Sequence, residues 1–240
     1  MCMNSKQNIN SITNGAEFHE SLANNWSASY ESGGFRRRIV FFESLLKRIV
    51  CPDDLWLDAG CGSGRLARLI GQLGAEVVAV DGSPAMIECA RNESNDMSDR
   101  ITYTLVGTIE TLDFQSSSFG HVLCSSVIEY VEEPEIALGE LFRVIRPSGL
   151  LILSVPNRFS VIRLVQKLLR RAYKVFEKDV YSYLSVSKNE YSSAEILSLL
   201  NKVGFVMEDV QIFDPILPAF TSKLSLGSLF VITVRKQVRQ

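Results

Sequence analysis

Residues 55–70 read LWLDAGCGSGRLARLI, and no other stretch of the chain is as informative. An apolar segment leads into a turn with glycine at alternate positions, Gly60, Gly62 and Gly64, and a helical pattern follows. Because glycine has no Cβ atom, such a turn can bend sharply and let a ligand touch the backbone. The free N–H groups of the following helix favour a negatively charged or hydroxylated ligand. A second apolar segment ends in Asp81, which suits the hydroxyls of a ribose. These features predict a nucleotide-like ligand.

The glycine spacing separates two kinds of nucleotide site. A dinucleotide-binding fingerprint, G-x-G-x-x-G, would need its third glycine at position 65 or 67, where this chain has Arg65 and Ala67. The order here is acidic-x-Gly-x-Gly-x-Gly, with Asp58 in first place. In this order the chain resembles the class I S-adenosylmethionine-dependent methyltransferases. A strand-to-helix turn with a structural role only is the alternative interpretation.

Further segments are similar to the same family, and the similarity extends over residues 18–235 with a gap at 158–190. These segments are residues 106–119, 126–131, 141–150 and 191–205. They are closest in character to the subgroup that methylates quinones, lipids and other small metabolites. Three positions depart from the family. Gly120 stands where the family often has an Asp after Phe119. Thr108 stands where the family usually has an acid that bonds the adenine amino group, and Tyr130 stands where quinone O-methyltransferases often have histidine.

The resemblance implies S-adenosyl-L-methionine as the cofactor, with the glycine turn against its methionine part and an acid on its ribose. The residues assigned to cofactor binding are Asp58, Gly60, Cys61, Gly62, Gly64, Asp81, Gly82, Met86, Thr108, Ile109 and Ser125. No cluster of His, Cys, Asp and Glu has the spacing of a metal site, so no metal is predicted.

Three residues are candidates for catalysis. Glu129 and Tyr130 follow the predicted fourth strand and should face the cofactor, because ligands gather at the carboxyl ends of parallel strands. His19 lies in the N-terminal helical segment, which often closes over the cofactor in this family. The alternatives are a solvated loop acid for Glu129, wall packing for Tyr130 and a surface position for His19. By the same rule His121 opens its strand and should lie at the opposite edge, in a structural role.

A short segment near residue 30 is the candidate for a lid over the methionine end of the cofactor. It contains Tyr30, Ser32, Gly33, Gly34 and Arg37, and an arginine there would suit a carboxylate. A basic cluster of Arg36, Arg37 and Arg38 that faces solvent is the competing interpretation.

The composition fits one globular domain and excludes some functions. The chain has 240 residues, a formal net charge of -2 and five scattered cysteines without a C-x-x-C pair. The charge argues against broad nucleic-acid binding, and the cysteines favour free thiols in a reducing compartment. The absence of a secretory core at the N-terminus and of an apolar run of ~18 residues predicts a cytoplasmic protein.

Strand and helix patterns alternate after residue 54, which is typical of an α/β fold with a parallel sheet. The resemblance implies a Rossmann-like, mostly parallel sheet of seven strands with helices on both faces and an antiparallel last strand. The expected organisation is a flexible N-terminus at 1–17 and one methyltransferase domain at 18–240. A helical lid at 18–50 and a helical insertion at 158–190, which forms the acceptor cap, belong to that domain.

The segment 158–178 combines an apolar helical face with a basic one. Its expected packing has the apolar residues on the domain and the basic residues in water. The other interpretation is a helix that contacts an anionic membrane or covers an apolar substrate. The apolar residues are Ile162, Val165, Leu168, Leu169, Ala172, Tyr173 and Phe176.

The predicted function is methyl transfer to oxygen, carbon or nitrogen of a small molecule, with a quinone or lipid as candidate acceptors. The predicted partners include a membrane surface but no nucleic acid. The alternatives are a catalytically silent module that only binds the cofactor, and a nucleotide-dependent dehydrogenase.

Overall fold

The structure is a computed structural model that describes residues 15–20, 33–94, 96, 99–174, 182–214 and 227–237. Its seven strands are β1 (Leu55–Ala59), β2 (Glu76–Asp81), β3 (Ile101–Leu105), β4 (Phe119–Ser125), β5 (Ile145–Pro156), β6 (Phe205–Phe213) and β7 (Leu229–Lys236). They form one sheet in the order β3-β2-β1-β4-β5-β7-β6. β7 is antiparallel to both of its neighbours, and the other pairs are parallel. The predicted fold class is confirmed.

Helices pack on both faces of this sheet. They are α1 (Gly33–Leu46), α2 (Arg65–Gln72), α3 (Pro84–Asn92), α4 (Pro134–Val144), α5 (Val161–Lys174) and α6 (Ser193–Val203), and residues 15–20 are also helical. Buried residues of α1, α2 and α3 form a core on one face, and those of α4 and α6 form a second core on the other. The sheet is therefore buried on both sides, as expected for parallel strands.

Local sequence signals explain where the helices begin and end. Ser83 caps α3, since its hydroxyl accepts a hydrogen bond from the backbone N–H of Met86 at 3.1 Å, and proline follows in the first turn. At the start of α6, Ser192 and Glu195 form a reciprocal capping box. Gly204 ends α6 with φ 114°, a backbone conformation that glycine adopts without a Cβ clash.

The start of β4 differs from the prediction. β4 begins at Phe119 rather than His121, and β5 begins at Ile145. The reason is a pairing between Phe119 and Ile145 ahead of an irregularity in the ladder, which joins both strand starts to the sheet. The preceding helix therefore ends at Val144.

The helix formed by residues 15–20 spans the boundary predicted at residue 17, and residues 1–14 lie outside the described residues. The division into a flexible N-terminus, a lid and an acceptor cap stays a prediction. In the described part of the chain, no helix is both long and apolar enough to cross a bilayer.

The packing expected for the insertion helix is wrong. In α5 the side chain of Arg163 is buried, whereas Val165, Leu168 and Leu169 are exposed. Arg163 can be buried because Glu190 neutralises its charge at 3.1 Å. The apolar face of α5 therefore points away from the domain. Tyr173, Phe176 and Lys178, which were predicted on this helix, have side chains outside the described residues.

Candidate active site

A cavity of about 830 Å³ lies at the carboxyl ends of β1, β2 and β4. The sheet continues from β1 in one direction through β2 and in the other through β4, so the strand order reverses here. Open α/β sheets bind ligands at such a reversal. The volume lies within the range of about 300–1,000 Å³ that is typical of small-molecule sites.

All of the predicted catalytic and cofactor-binding residues line this cavity except Gly64. Gly64 precedes α2 with φ 75°, and an added Cβ atom would lie 2.5 Å from the hydroxyl oxygen of Tyr103. Glycine is therefore required at position 64 by the backbone conformation and by the packing of Tyr103 against the turn.

The turn after β1 needs glycine for its backbone conformation and for close packing. Gly60 has φ 81°, and an added Cβ atom would lie 2.2 Å from a methyl carbon of Val127. Gly62 has φ 53°, and its N–H donates to Asp81 Oδ2 at 2.8 Å. The turn is thus tied to the end of β2, with bare backbone facing the cavity.

Two acids stand at the ends of β1 and β2. Asp58 is buried, and its Oδ2 has no hydrogen-bond partner among the described residues. Burial, with the negative charge of Asp81 as a second cause, raises the pKa of Asp58 to about 7. Asp81 accepts hydrogen bonds from the N–H groups of Gly62 and Ser83, and each oxygen retains a lone pair for a ligand. Burial also raises the pKa of Asp81.

The side of the cavity near β3 combines apolar and acidic groups. Met86 and Ile109 are buried and form an apolar surface for a flat ring. The hydroxyl of Thr108 donates to Glu110 Oε2 at 2.6 Å, so Thr108 holds a carboxylate at the cavity wall. Glu110 was missed in the sequence, although it is an acid two residues after the position where the family carries one.

Arg38, not Arg37, lines the cavity. Its guanidinium donates to the hydroxyls of Ser125 at 2.6 Å and Ser126 at 2.8 Å, at the end of β4. It also lies over the ring of Phe42, 5.7 Å from the centroid. The arginine at the cavity wall is therefore Arg38 and not the predicted Arg37. The interpretation of Arg38 as part of a solvent-facing basic cluster is wrong. The buried Phe42, four residues later on the same helical face, was the available signal.

Other parts of the predicted lid have mixed outcomes. Gly34 lines the cavity and Gly33 does not. Tyr30 and Ser32 lie outside the described residues.

Glu129 is a buried carboxyl at the cavity wall, directly after β4. Burial raises its pKa to about 7, and the nearby cations Arg163 and Arg38 limit that rise. Its Oε2 has no hydrogen-bond partner in the described part of the chain. The loop that holds it is fixed by the N–H groups of Lys188 and Asn189, which donate to the Glu129 carbonyl at 2.7 and 3.1 Å. A solvated loop acid is therefore the wrong interpretation.

Tyr130 and His19 form another part of the cavity wall. Their rings contact each other edge to face, with centroids 5.3 Å apart. Burial raises the pKa of Tyr130 well above its ordinary value, so its phenol stays protonated. Burial lowers the pKa of His19 to about 4, so its imidazole is neutral near pH 7 and only a weak proton acceptor.

The far end of the cavity is closed by α5 and the segment after it. Ile162, Arg163 and Gln166 line it from the helix, and Tyr183 and Lys188 line it from the following segment. The Tyr183 hydroxyl donates to Gln166 at 2.7 Å, which links the two walls.

Polar residues elsewhere have structural roles. The Nδ1 atom of His121 accepts a hydrogen bond from the N–H of Leu150 at 3.2 Å, at the edge of the sheet opposite the cavity. Within the described ranges, no three His, Cys, Asp or Glu side chains come together as metal ligands.

Comparison with known proteins agrees with this geometry. Residues 57–153 match the model of a methyltransferase domain family. A ubiquinone biosynthesis O-methyltransferase of Xanthomonas euvesicatoria is 26% identical over 219 residues, which cover 85% of this chain and 87% of that protein. Together with the fold, these matches support a class I S-adenosylmethionine-dependent methyltransferase. The chain is therefore an enzyme whose cofactor is S-adenosyl-L-methionine, and a dehydrogenase is excluded.

Solved structures share the fold of this methyltransferase. An S-adenosylmethionine-dependent methyltransferase of Thermotoga maritima superposes with a TM-score of 0.66 at 23% identity, over 92% of this chain and 99% of that one. One from Methanosarcina mazei gives a TM-score of 0.63 at 19% identity, over 81% of this chain and 98% of that one.

The cavity of the methyltransferase fits its cofactor on its own geometry. The turn at Gly60 and Gly62 presents bare backbone, the free oxygen of Asp58 lies behind it, and Asp81 retains acceptor capacity for ribose hydroxyls. Met86 and Ile109 offer the apolar surface that an adenine ring needs. When bound, the cofactor supplies a methyl group already activated on a positively charged sulfur.

Proposed function

We propose that this methyltransferase acts on a hydroxyl group of a small, apolar, quinone- or lipid-like acceptor. The observation that carries the proposal is Glu129, a buried carboxyl with a pKa of about 7 in the wall of the cofactor cavity. A phenol needs to lose its proton as its oxygen is methylated, and a base whose pKa lies near the working pH serves best. The O-methyltransferase name of the Xanthomonas relatives supports oxygen as the methylated atom.

The residues of the glycine turn and the two neighbouring strand ends would hold the cofactor. We assign the ribose to Asp81, the adenine ring to Met86 and Ile109, and the adenine amino group to Glu110, held by Thr108. The methionine carboxylate would pair with Arg38, whose guanidinium is already placed by the hydroxyl of Ser125. Asp58, Cys61 and Gly82 complete the contact surface.

Glu129 would accept the hydroxyl proton of the acceptor. Arg163 and Arg38 stabilise the carboxylate form, so at pH 7 a useful fraction of Glu129 is ionised. His19 is a weaker candidate because its lowered pKa makes it a poor base. Tyr130 keeps its proton and can donate a hydrogen bond to the acceptor or pack against it.

Two segments would exclude water from the reaction. The helical residues 15–20 and α1 supply Phe18, His19 and Arg38 to the cavity wall, which supports the lid proposed for residues 18–50. α5 and Lys188 supply the opposite wall, which supports the acceptor cap proposed for residues 158–190. Exclusion of water strengthens every electrostatic contact at the transferred group.

The test is transfer of an isotopically labelled methyl group to a panel of acceptors. The panel contains an alkyl catechol, its dimethyl ether, which has no free hydroxyl, and an aromatic amine of similar size. We expect the catechol to be methylated and the ether to be inert. Methylation of the amine alone would contradict an oxygen acceptor. Full cofactor binding without turnover of any acceptor would favour the silent binding module.

The variant Glu129→Gln tests the role of Glu129 as a base separately from cofactor binding. Glutamine keeps the size of the side chain but cannot take up a proton, so we expect turnover to fall by about 10²–10⁴-fold. Glu129 is not itself a proposed cofactor contact, so cofactor affinity should change by less than about tenfold, with Arg38 as the one neighbour that Glu129 and the proposed cofactor site share. Unchanged turnover in Glu129→Gln would remove Glu129 from the mechanism.

A further inference from the structure

Helix α5 has two different sides. Its inner side carries Ile162, Arg163 and Gln166, which line the cavity. Arg163 is anchored there by Glu190 and lies 5.8 Å from the ring centroid of Tyr183. This anchoring fixes the rotation of the helix, so the residues on its other side cannot turn inward.

The outer side of α5 is a row of exposed apolar side chains. Leu164 is 57% exposed, Leu168 55%, Val165 46%, Val161 45% and Leu169 37%. Their spacing of three and four residues places them on one helical face. Phe159, just before the helix, is 67% exposed. Isolated exposed apolar residues are ordinary, but a continuous row of this kind marks an interaction surface.

The charge of α5 indicates what this row contacts. Residues 161–174 contain three arginines and two lysines and no acid, although the whole chain has a net charge of -2. Lys167 and Arg171 are exposed and lie one turn apart along one edge of the apolar row, and Lys167 also pairs with Glu190 Oε2 at 2.6 Å. An apolar row flanked by cations is typical of a helix that lies in the surface of an anionic membrane.

We propose that the outer face of α5, formed by Phe159, Val161, Leu164, Val165, Leu168 and Leu169, docks the methyltransferase on an anionic lipid bilayer. Arg171, at the edge of that face, contacts the lipid headgroups. Because the inner side of the same helix lines the active-site cavity, docking brings that cavity to the membrane surface. If the proposed apolar acceptor is correct, the enzyme meets it where such a molecule is dissolved.

The test is co-sedimentation of the full chain with vesicles of phosphatidylcholine alone or mixed with phosphatidylglycerol. We expect binding to the mixed vesicles to exceed binding to neutral ones by about tenfold or more, and to weaken as salt is raised. The double variant Leu164→Asp and Leu168→Asp should bind the mixed vesicles at least about tenfold more weakly. Arg171→Glu should reduce the preference for anionic lipid.

A matched control places the same charge elsewhere. Ile136 on α4 and Met207 on β6 are each 56% exposed, so Ile136→Asp with Met207→Asp adds the same two charges at equally exposed apolar sites away from α5. This double variant should bind vesicles like the parent. Thermal unfolding and cofactor binding of each variant show that it is folded. Unimpaired vesicle binding by the Leu164→Asp and Leu168→Asp variant would overturn the proposal.

A second copy of the chain is the competing occupant of this face. If the parent ignores both kinds of vesicle but forms a dimer that the double variant abolishes, the proposal is also overturned. The proposed acceptor can fail independently, since vesicle binding is measured without any methyl transfer.

Discussion

At the scale of single residues, Gly62 should be the most sensitive point of the cofactor site. Its φ of 53° disfavours a β-branched side chain, and its N–H holds Asp81. We expect Gly62→Val to weaken cofactor binding by at least about 100-fold, which is about 2.7 kcal/mol. Isothermal titration of the cofactor measures this. The control is Gly139→Ala in α4, where an added Cβ atom meets nothing within 4 Å. Parent-like affinity in Gly62→Val would refute the assignment of the turn.

Asp81 should contribute to binding through its charge as well as its geometry. Asp81→Asn keeps the shape of the side chain. Its amide has only one oxygen, whereas Asp81 accepts hydrogen bonds from two N–H groups with two oxygens. Charge-assisted hydrogen bonds are worth about 1.5–3 kcal/mol, so the cofactor dissociation constant should rise by about 10–100-fold. Titration of the folded variant checks this prediction. A dissociation constant within twofold of the parent would leave the ribose without its proposed partner.

Glu129 makes activity depend on pH in a defined direction. A base with a pKa of about 7 is protonated and inactive below that pH, so turnover should rise as pH increases through about 7. The rate measured with a saturating hydroxylated acceptor between pH 5.5 and about 8.5 tests this. In Glu129→Gln the residual rate should lose this rise. A rise that persists unchanged in the variant would assign the titration to another group.

The choice between Arg37 and Arg38 shows what the sequence could not resolve at this scale. Neighbouring residues on a helix point about 100° apart, so a run of three arginines gives no preference without the rotation of the helix. That rotation is set by packing of Ile39 and Phe42 on the sheet. The places of the glycine turn and of Asp81 could be predicted without a helix rotation, because a strand fixes the position of the residue at its end.

At the scale of elements, α6 should depend on the cap at its start. The Ser192 hydroxyl accepts from the N–H of Glu195, and Ser192→Ala removes that bond at a cost of about 1 kcal/mol. For a chain of this size the melting temperature should fall by about 2–4 °C. Ser193→Ala, one residue later, is the control and should have little effect. A melting temperature unchanged in Ser192→Ala would mean that water replaces the cap fully.

The same scale explains why the helix of residues 161–174 was found in the sequence but turned the wrong way. The period of its apolar residues predicts a helix, whichever side they face. Which side faces the domain depends on Arg163 and Glu190, 27 residues apart in sequence and joined only in the folded chain. Burial of a charged pair cannot be read from the periodicity of one helix.

At the scale of the whole molecule, the sheet order follows from rules that sequence patterns capture well. Alternating strands and helices predict parallel pairing, and the reversal beside β1 then predicts where ligands bind. The sequence did not reveal how much charge the cavity buries. Asp58 lies in β1 and Glu129 in the loop after β4, and the same sheet topology that forms the cavity removes both from water.

These two buried acids should make the folded chain less stable as pH rises. Their pKa values are raised to about 7, so the folded state holds protons that the unfolded state has already lost. The stabilisation is complete below the unfolded pKa values and is lost as pH rises through about 7. His19 and His121, whose pKa values are lowered by burial, have the opposite effect, which fades as pH rises above their ordinary value of 6.5. The contribution of the two acids is therefore the difference between the parent and a variant that lacks both acids, measured from pH 6.5 to about 8.

Over that interval the free energy of unfolding without cofactor should fall by about 1–2 kcal/mol more in the parent than in the variant Asp58→Asn with Glu129→Gln. An amide carries no proton that ionisation could take away, so the variant lacks the contribution of these two acids. Urea denaturation of both proteins at the two ends of the interval measures the difference. A parent whose stability changes no more than that of the variant would mean that water or a cation reaches these carboxyls and lowers their pKa values.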